Sequence, residues 1–434
     1  MIPAARLTAA IEVLADIGAR RRPAPDALKD WGLAHRFAGS KDRAAIASLV
    51  YDTLRRRASA AHVMADESPR ALVLGALALA RGMDVEAIAA LCSGERFAPA
   101  PLSAEERRRL ARADLAGAPA PVAGDFPDWL EAELKRAFGA GLVAEMQALA
   151  GRAPIDIRVN TLKTERMRLL PALAHLGAEI TPHAPTALRF PAGEDGRGPT
   201  LQVTPEFLKG QFEIQDEGSQ LVALMAGAAP GEQVVDLCAG GGGKTLELAA
   251  LMDNSGQIYA TDADARRLAP IHDRLARAGA RNVQVRTPKG RGDEPLADLA
   301  GRIDLCLVDA PCTGIGTWRR NPDTKWRVRP GALAERMKDQ DLVLARAERL
   351  VKPGGRIAYV TCSVLPAEND DRVAAFLEAH AAFRSVPPRD VLALAPDSLS
   401  ERADLVSPAG LGLQLTPRRT GTDGFYLALM ERAG

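Results

Sequence analysis

The sequence contains few cysteines and histidines for its length, and charge of neither sign is in clear excess. Its 434 residues include five cysteines and six histidines. The cysteines are too few and too scattered for a disulfide framework, no C-x-x-C pair occurs, and the histidines are not spaced as zinc ligands. With 56 basic and 55 acidic residues the net charge is +1, so no global field points to a polyanionic partner. We therefore expect no metal site, and any chemical role of the cysteines should be that of a thiolate.

Long apolar runs are also missing. The longest, residues 71–80, ends at Arg81 and has about half the length that crosses a bilayer. Residues 1–6 lack the charged stretch and apolar core that begin a secretory signal peptide. Hydrophobic residues make up 47% and charged residues 26% of the chain, which excludes a fibrous or wholly disordered protein. The sequence predicts a cytoplasmic, monomeric protein of two or three domains.

Three regions differ in their hydrophobic pattern. In residues 1–140 apolar side chains recur at helical spacing, which predicts an all-α domain. In residues 141–215 the alternation of a half-buried strand starts at Pro154, and the region predicts a small α+β domain. Residues 216–434 repeat a pattern of apolar strand, glycine turn and helix. That pattern favours a parallel sheet covered on both faces, so the chain is expected to be of the α/β class.

Individual elements can be placed in the third region. The predicted strands span residues 234–238, 258–262, 283–286, 303–309 and 356–362, with helices at 244–252, 264–278 and 333–351. Two further strands, 413–415 and 425–430, are expected to form an antiparallel hairpin at the edge of the sheet.

A glycine loop follows the first of these strands. Four glycines, 240–243, precede Lys244, and glycine allows a ligand to approach the backbone where a helix N terminus offers N–H groups. A P-loop would need its first glycine at position 238, which is Cys238, so the phosphate-binding motif of NTPases is broken. A nucleoside site is the better interpretation, because Asp262 ends the next strand 22 residues after the first glycine, where an acid can bind ribose hydroxyls. A tight turn without a ligand is the structural alternative.

Two cysteines follow strands that should end at the same edge of the sheet. Cys312 lies three residues after Asp309, which ends one strand, and Cys362 ends the next strand. Ligands bind beyond the carboxyl ends of strands in open α/β sheets, so both thiols are expected beside the nucleoside site. Either cysteine alone fits core packing equally well, as Cys306 inside a strand does. Two of them together with an acid favour chemistry.

These segments together resemble the Sun/RsmB-type RNA (cytosine-5) methyltransferases, whose motifs read DxCAAPGGKT, DAPCSGxG and TCSxxxxEN. The corresponding segments here are residues 236–245, 309–316 and 361–369, and the resemblance covers roughly residues 155–430. The helices of the first region resemble the NusB-like RNA-binding module that some members carry. The resemblance implies a class I, Rossmann-like methyltransferase domain, S-adenosyl-L-methionine as the cofactor, and RNA as the partner, with ribosomal RNA as the first expectation.

The resemblance also implies roles for individual residues. The Cys362 thiolate would add to carbon 6 of cytosine and so activate carbon 5 for methylation. Asp309 would hydrogen-bond the base, and Cys312 would assist removal of the carbon-5 proton and release of the enzyme. DNA enzymes with the same chemistry use the cysteine after proline as nucleophile, so spacing leaves the two roles open, and the complete Thr-Cys-Ser motif favours Cys362. The residues expected to bind the cofactor are Cys238, Ala239, Gly240, Gly241, Gly242, Gly243, Lys244, Asp262 and Asp309.

The chain departs from the family pattern at two places. Gly240 and Gly241 replace the usual Ala-Pro, which should loosen the loop without removing its N–H groups. The family also tends to place an acid after the third strand to hold the adenine amino group, and here the first acid is Asp293. Adenine is therefore expected to be held differently, or the cofactor less tightly.

Several polar and aromatic residues are candidates for contact with RNA. Trp318 is predicted either to stack on single-stranded RNA or to lie in the core. Lys325, Arg327 and Arg329 favour phosphate contact. For Arg158 and Asn160, an RNA-facing surface and a purely structural strand are both open.

Two further functions remain open at this point. The same chemistry on transfer RNA or another RNA is one, because the motifs do not distinguish substrates. The other is a non-catalytic, RNA-binding ribosome-assembly factor, against which the intact Asp309, Cys312 and Cys362 argue.

Overall fold

The computed structural model describes residues 1–193, 198–290 and 293–434. Within these ranges the chain forms two compact units. The first contains Met1–Arg152, Gly193 and Trp318–Val328, and the second contains the remainder. The predicted division at residues 140 and 215 stays a prediction. Residues 141–152 belong to the first unit, most of the remaining second region shares the second unit with most of the third region, and residues 194–197 lie outside the described residues.

The first unit is helical. Its longer helices have clear end signals: the Ser68 side chain accepts a hydrogen bond from the Ala71 N–H at the start of one helix, and Gly82, at φ 62°, ends it. The likeness to a NusB-like module stays a prediction. The helices span Pro3–Arg20, Ala24–Ala34, Ser40–Arg55, Arg57–Met64, Pro69–Arg81, Val85–Leu91, Ala104–Leu110, Ala120–Ala123, Glu131–Phe138, Leu142–Leu149 and Pro322–Arg327, with 3₁₀ turns at Asp128–Leu130 and Gly139–Gly141.

The segment Trp318–Val328 folds within the first unit, although it follows the Cys312 loop in sequence. Trp318 is fully buried. The Lys325 ammonium lies 5.7 Å from the centre of the Trp318 ring and donates a 2.7 Å hydrogen bond to the Asp125 carbonyl. Because both side chains are buried, the predictions of RNA stacking by Trp318 and phosphate contact by Lys325 are wrong, and Trp318 is a core residue.

The second unit begins with a small antiparallel sheet. Among the described residues it has four strands in the order β2-β3-β1-β4. The strands are β1 (Ile155–Val159), β2 (Glu179–Ile180), β3 (Ala187–Phe190) and β4 (Phe212–Ile214).

A larger, mostly parallel sheet follows. Its order is β10-β12-β9-β8-β5-β6-β7, with β11 paired to β12, and the five strands from β9 to β7 are parallel. Leu305 and Leu307 of β8 face one hydrophobic core while Cys306 and Val308 face another, so both faces are covered. This arrangement confirms the predicted α/β class. The strands are β5 (Gln233–Asp236), β6 (Gln257–Ala260), β7 (Val283–Val285), β8 (Ile303–Asp309), β9 (Val351–Thr361), β10 (Phe383–Ser385), β11 (Leu413–Leu415) and β12 (Phe425–Arg432).

Two details differ from the prediction. The β11–β12 hairpin forms, but β12 lies inside the sheet because β10 pairs along its other side. The helix predicted at residues 264–278 is broken next to Pro270, which has no N–H for a helical hydrogen bond.

The helices of the second unit cover the two sheets. They span Arg166–Leu173, Pro205–Leu208, Glu217–Met225, Gly243–Leu251, Ala265–Leu268, Ile271–Ala278, Pro330–Leu350, Asp370–Ala379, Pro388–Leu392, Asp397–Ser400 and Pro417–Thr420. Of all helices in the described ranges, none combines the length and hydrophobicity that a membrane span requires.

Candidate active site

The two strand-end cysteines meet. Strands β8 and β9 are parallel neighbours, with Asp309 at the end of β8 paired in register with Val360 of β9. The next residues along each strand therefore emerge side by side. The sulfur atoms of Cys312 and Cys362 lie 3.4 Å apart, and both residues are partly exposed. Cys306 is buried within β8, as expected for a structural cysteine.

A buried carboxylate, Glu368, joins the loops that carry these cysteines. It accepts hydrogen bonds from the Thr313 N–H at 2.8 Å and the Thr313 hydroxyl at 2.5 Å, and from the Ser363 hydroxyl at 2.5 Å. The Gly316 N–H also donates to the Cys362 carbonyl at 2.9 Å. This role of Glu368 was not predicted. The one feature of the sequence that pointed to Glu368 was its place in the motif that contains Cys362.

Lys244 pairs with Asp309. The Lys244 ammonium donates to an Asp309 oxygen at 2.7 Å, and the Asp309 side chain is one-third exposed while that of Lys244 is 9% exposed. Burial alone would lower the pKa of Lys244, yet the Asp309 carboxylate, with a smaller contribution from Cys362, holds that pKa above its ordinary value. A positive charge therefore stays beside Asp309 and Cys362.

The thiols of Cys312 and Cys238 are held in the protonated form. The neighbouring Cys362 sulfur and burial raise the pKa of Cys312 well above its ordinary value. Burial likewise raises the pKa of Cys238. Cys312 therefore has an S–H that can be donated to the Cys362 sulfur.

The glycine loop is held by Asp262. Gly240 and Gly242 have φ angles of 50° and 82°, in the left-handed region that favours glycine. The Gly240 N–H donates to one Asp262 oxygen at 2.9 Å, and the Asp264 N–H donates to the other at 2.9 Å. At the end of β5, burial raises the pKa of Asp236 to about 7. The acid proposed for ribose thus also fixes the backbone around it.

A cavity of about 710 Å³ is lined by several of the predicted catalytic and cofactor-binding residues. Cys238, Asp262, Asp309, Cys312 and Cys362 all lie on its wall, while Ala239, the four glycines and Lys244 lie in the adjoining loop and helix start. Its volume is in the range of cofactor pockets, and an acid beside a helix N terminus suits a nucleoside, so the residues fit S-adenosylmethionine. In the described part of the chain, no group of three or more His, Cys, Asp or Glu side chains is placed to hold a metal ion.

The family's acid after the third strand is absent here, but an acidic residue further along the chain, Glu294, lies on the cavity wall. Asp293 accepts a hydrogen bond from the Lys289 N–H, whereas the next residue, Glu294, lies on the cavity wall and pairs with Arg346 at 3.4 Å. This position of Glu294 was not predictable from sequence, because it depends on the packing of the helix Pro330–Leu350, which carries Arg346.

Arg158 and Asn160 are buried, so the RNA-facing prediction for them is wrong and the structural strand is correct. The Arg158 guanidinium donates to the Gly243 carbonyl at 2.9 Å and pairs with Glu247 at 3.2 Å. The Asn160 amide donates to the Ala278 carbonyl at 2.8 Å. Both side chains attach the small sheet to the helices beside the glycine loop.

Family models match two parts of the chain. Residues 223–431 match the model described as 16S rRNA methyltransferase RsmB/F, and residues 126–193 match an RsmF/B-like, ferredoxin-like domain.

Curated proteins give the same picture. The chain is 32% identical over 317 residues to the probable ribosomal RNA small subunit methyltransferase B of Synechocystis sp., covering 71% of this chain and 67% of that protein. It is 35% identical over 309 residues to ribosomal RNA small subunit methyltransferase B of Sodalis glossinidius, covering 70% and 65%. The match spans about two thirds of the length of each relative.

Solved structures share the fold. The crystal structure of PH0851 is 27% identical with a TM-score of 0.72, covering 100% of this chain and 99% of that one. A methyltransferase homolog protein from Pyrococcus horikoshii is 26% identical with a TM-score of 0.57, covering 72% of this chain and 97% of that one.

Proposed function

The chain belongs to the RsmB/F family of S-adenosylmethionine-dependent methyltransferases, and we propose that it methylates carbon 5 of a cytosine in small-subunit ribosomal RNA. The observation that carries this proposal is the pair of cysteine sulfurs 3.4 Å apart on the wall of the cofactor-sized cavity. The choice of ribosomal RNA rests on the names of the curated relatives, which are small-subunit methyltransferases.

Carbon 5 of cytosine is a poor nucleophile, so the reaction needs covalent activation. The Cys362 thiolate forms a bond to carbon 6, and the electron pair of the 5,6 double bond becomes available at carbon 5. Asp262, Cys238 and the glycine loop would hold S-adenosylmethionine, which would supply the methyl group to carbon 5 and leave as S-adenosylhomocysteine. Asp309 would hydrogen-bond the base at its exocyclic amine and ring nitrogen, and Lys244 holds Asp309 in place through a 2.7 Å hydrogen bond. Loss of the carbon-5 proton restores the double bond and breaks the bond from sulfur to carbon 6.

The pair of sulfurs supports Cys362 as the nucleophile and Cys312 as the proton acceptor. The Cys362 sulfur is the first cause that keeps the pKa of Cys312 high, and Cys312 therefore begins as a thiol. In the adduct the Cys362 sulfur is bonded to carbon 6, so its hydrogen bond with Cys312, the largest cause of the raised pKa of Cys312, is weakened. Cys312 then releases its proton to water and, as a thiolate, accepts the proton from carbon 5.

The RNA has to present an unstacked cytosine, because the reacting sulfurs lie in a cavity. Arg327 and Arg329 are exposed, and we assign them to phosphate contact. We assign the activity to the single chain and, with its ribosomal substrate, to the cytoplasm.

The test is methyl transfer from labelled S-adenosylmethionine to small-subunit ribosomal RNA that lacks the modification, with digestion to nucleosides. Wild type and Cys92→Ala, a buried cysteine of the helical unit, should both yield 5-methylcytidine. Cys362→Ala should yield none. A different methylated nucleoside would contradict the cytosine chemistry, and transfer to transfer RNA alone would contradict the ribosomal substrate. Binding of RNA without any transfer would instead support an assembly factor.

A further inference from the structure

The four glycines of the cofactor loop lie against a single stretch of chain, residues 267–274. A methyl group built on Gly242 would lie 2.5 Å from the Ile271 side chain, and one on Gly241 would lie 3.1 Å from the Arg274 guanidinium. One on Gly240 would lie 3.6 Å from the Arg267 guanidinium. These glycines therefore have two effects. They permit the tight turn, and they leave room for side chains of residues 267–274 to approach the loop closely.

Arg274 makes the polar contact in this set. Its Nη1 donates to the Gly241 carbonyl at 2.6 Å, and its Nη2 donates to Glu213 of β4 at 3.0 Å. Glu213 is 3% exposed and also pairs with Arg277 at 2.5 Å. The guanidinium is therefore fixed at one end by a buried carboxylate of the small sheet and holds the loop at the other.

A second guanidinium holds the next part of the loop. Arg158, the residue paired with Glu213 across β1 and β4, donates to the Gly243 carbonyl at 2.9 Å. Two neighbouring residues of the small sheet thus restrain two carbonyls of the cofactor loop. Arg274 is the contact specific to Gly241, where the family pattern has proline.

A glycine at position 241 leaves the loop more freedom than a residue with a side chain, so ordering the loop costs more conformational entropy. We propose that Arg274, oriented by Glu213, is a positioning residue that orders the cofactor loop of this chain where the family pattern uses proline. The proposal rests on the cofactor site and not on the cytosine chemistry. Cofactor affinity should therefore depend on an ion pair to the small sheet.

The experiment measures binding of S-adenosylhomocysteine by titration calorimetry without RNA, together with hydrogen exchange of the loop amides 240–243. Arg274→Ala should weaken binding about tenfold, the effect of losing one charged hydrogen bond, and should speed exchange in the loop. Arg277→Ala is the matched control, because Arg277 shares Glu213 but, within the described residues, its hydrogen bonds reach no loop carbonyl. It should bind within about twofold of wild type.

A second substitution tests the mechanism. Gly241→Ala should weaken binding in wild type, where the new methyl group meets the guanidinium at 3.1 Å. In Arg274→Ala the same change should strengthen binding, because the space is open and alanine restricts the loop. Wild-type affinity in Arg274→Ala would overturn the proposal, as would weak binding with unchanged loop exchange or no reversal of the Gly241→Ala effect. Because no RNA is present, the result is independent of the proposed cytosine chemistry.

Discussion

At the scale of single residues, Glu368 holds the two cysteine loops together by accepting hydrogen bonds from both. One of its oxygens accepts from the Thr313 N–H and from the Gln340 amide at 3.1 Å, and the other accepts from the Thr313 and Ser363 hydroxyls. All these donors lie on or beside the cysteine loops. A carboxylate satisfies them together, because both of its oxygens are acceptors.

Glu368→Gln should therefore slow methyl transfer about 100-fold, the loss typical of a reacting group misplaced by about 1 Å. The amide has only one acceptor oxygen, so one set of donors must rearrange. Single-turnover rates measure the effect, and S-adenosylhomocysteine affinity should stay unchanged. Glu378→Gln, at an exposed position, is the control. Equal single-turnover rates for Glu368→Gln and wild type would mean that the cysteines do not depend on this carboxylate.

The sequence predicted the meeting of the cysteines but not the burial of several polar residues. Asp309, Cys312 and Cys362 follow neighbouring strands, and the strand-end rule is enough to bring them together. The burial of Arg158 and Lys325 depends on partners 89 and 200 residues away, Glu247 and Asp125. A local pattern shows a charged side chain but not the distant group that compensates for its burial.

At the scale of elements, the loop after β5 needs glycine at position 242 for two reasons, backbone conformation and lack of space. Gly242 has a left-handed φ of 82° and also has no room for a methyl group beside Ile271. The strand and loop were predictable because the apolar run is long and the glycines are clustered. The three-residue strand β10 and the helix break before Ile271 were not, since so short a strand has little pattern of its own.

Gly231 shows the effect of backbone conformation alone, and comparison with Gly242 therefore isolates the effect of lack of space. It has a φ of 90° with open space around it. Gly231→Ala should lower the free energy of unfolding by about 1–2 kcal/mol, the cost of a left-handed alanine. Gly242→Ala should cost at least about 1 kcal/mol more, because the methyl group also overpacks against Ile271, and should weaken cofactor binding. Denaturant unfolding and calorimetry measure both, and equal costs at the two sites would contradict the close-approach argument.

At the scale of the whole molecule, the chain returns to the helical unit after the Cys312 loop. After Thr317 it leaves the second unit for Trp318–Val328 and returns at Arg329. Inside the helical unit this segment buries Lys325, which donates to the Asp125 and Arg55 carbonyls at 2.7 and 3.3 Å. Burial lowers the pKa of Lys325 to about 7. The predicted domain of residues 216–434 includes this segment, which directly follows the Cys312 loop in sequence.

The lowered pKa of Lys325 makes the stability of the helical unit depend on pH. Between pH 7 and about 10.4 the unfolded chain holds a proton on Lys325 that the folded chain does not. The free energy of unfolding should therefore rise with pH across this window, by at most about 1.4 kcal/mol per unit. Lys325→Met should lack this contribution, while Lys29→Met, at an exposed position, should keep it.

Tryptophan fluorescence is suited to this measurement, because Trp31, Trp129, Trp318 and Trp326, the four tryptophans of the chain, all lie in the helical unit. Denaturant titrations at several pH values between 7 and 10 give the slope for each variant. The same slope in wild type and Lys325→Met would show that Lys325 keeps its proton when the unit is folded.

Peptide mapping of the trapped complex tests whether Cys362 bonds to the base and Cys312 releases it. Cys312→Ala is incubated with S-adenosylmethionine and unmodified small-subunit ribosomal RNA, denatured and digested, and the cross-linked peptide is identified by mass spectrometry. We expect a methylated cytosine on the peptide that contains Cys362, and no cross-link in Cys362→Ala. A stable cross-link in Cys362→Ala, carried by the peptide that contains Cys312, would contradict the assignment.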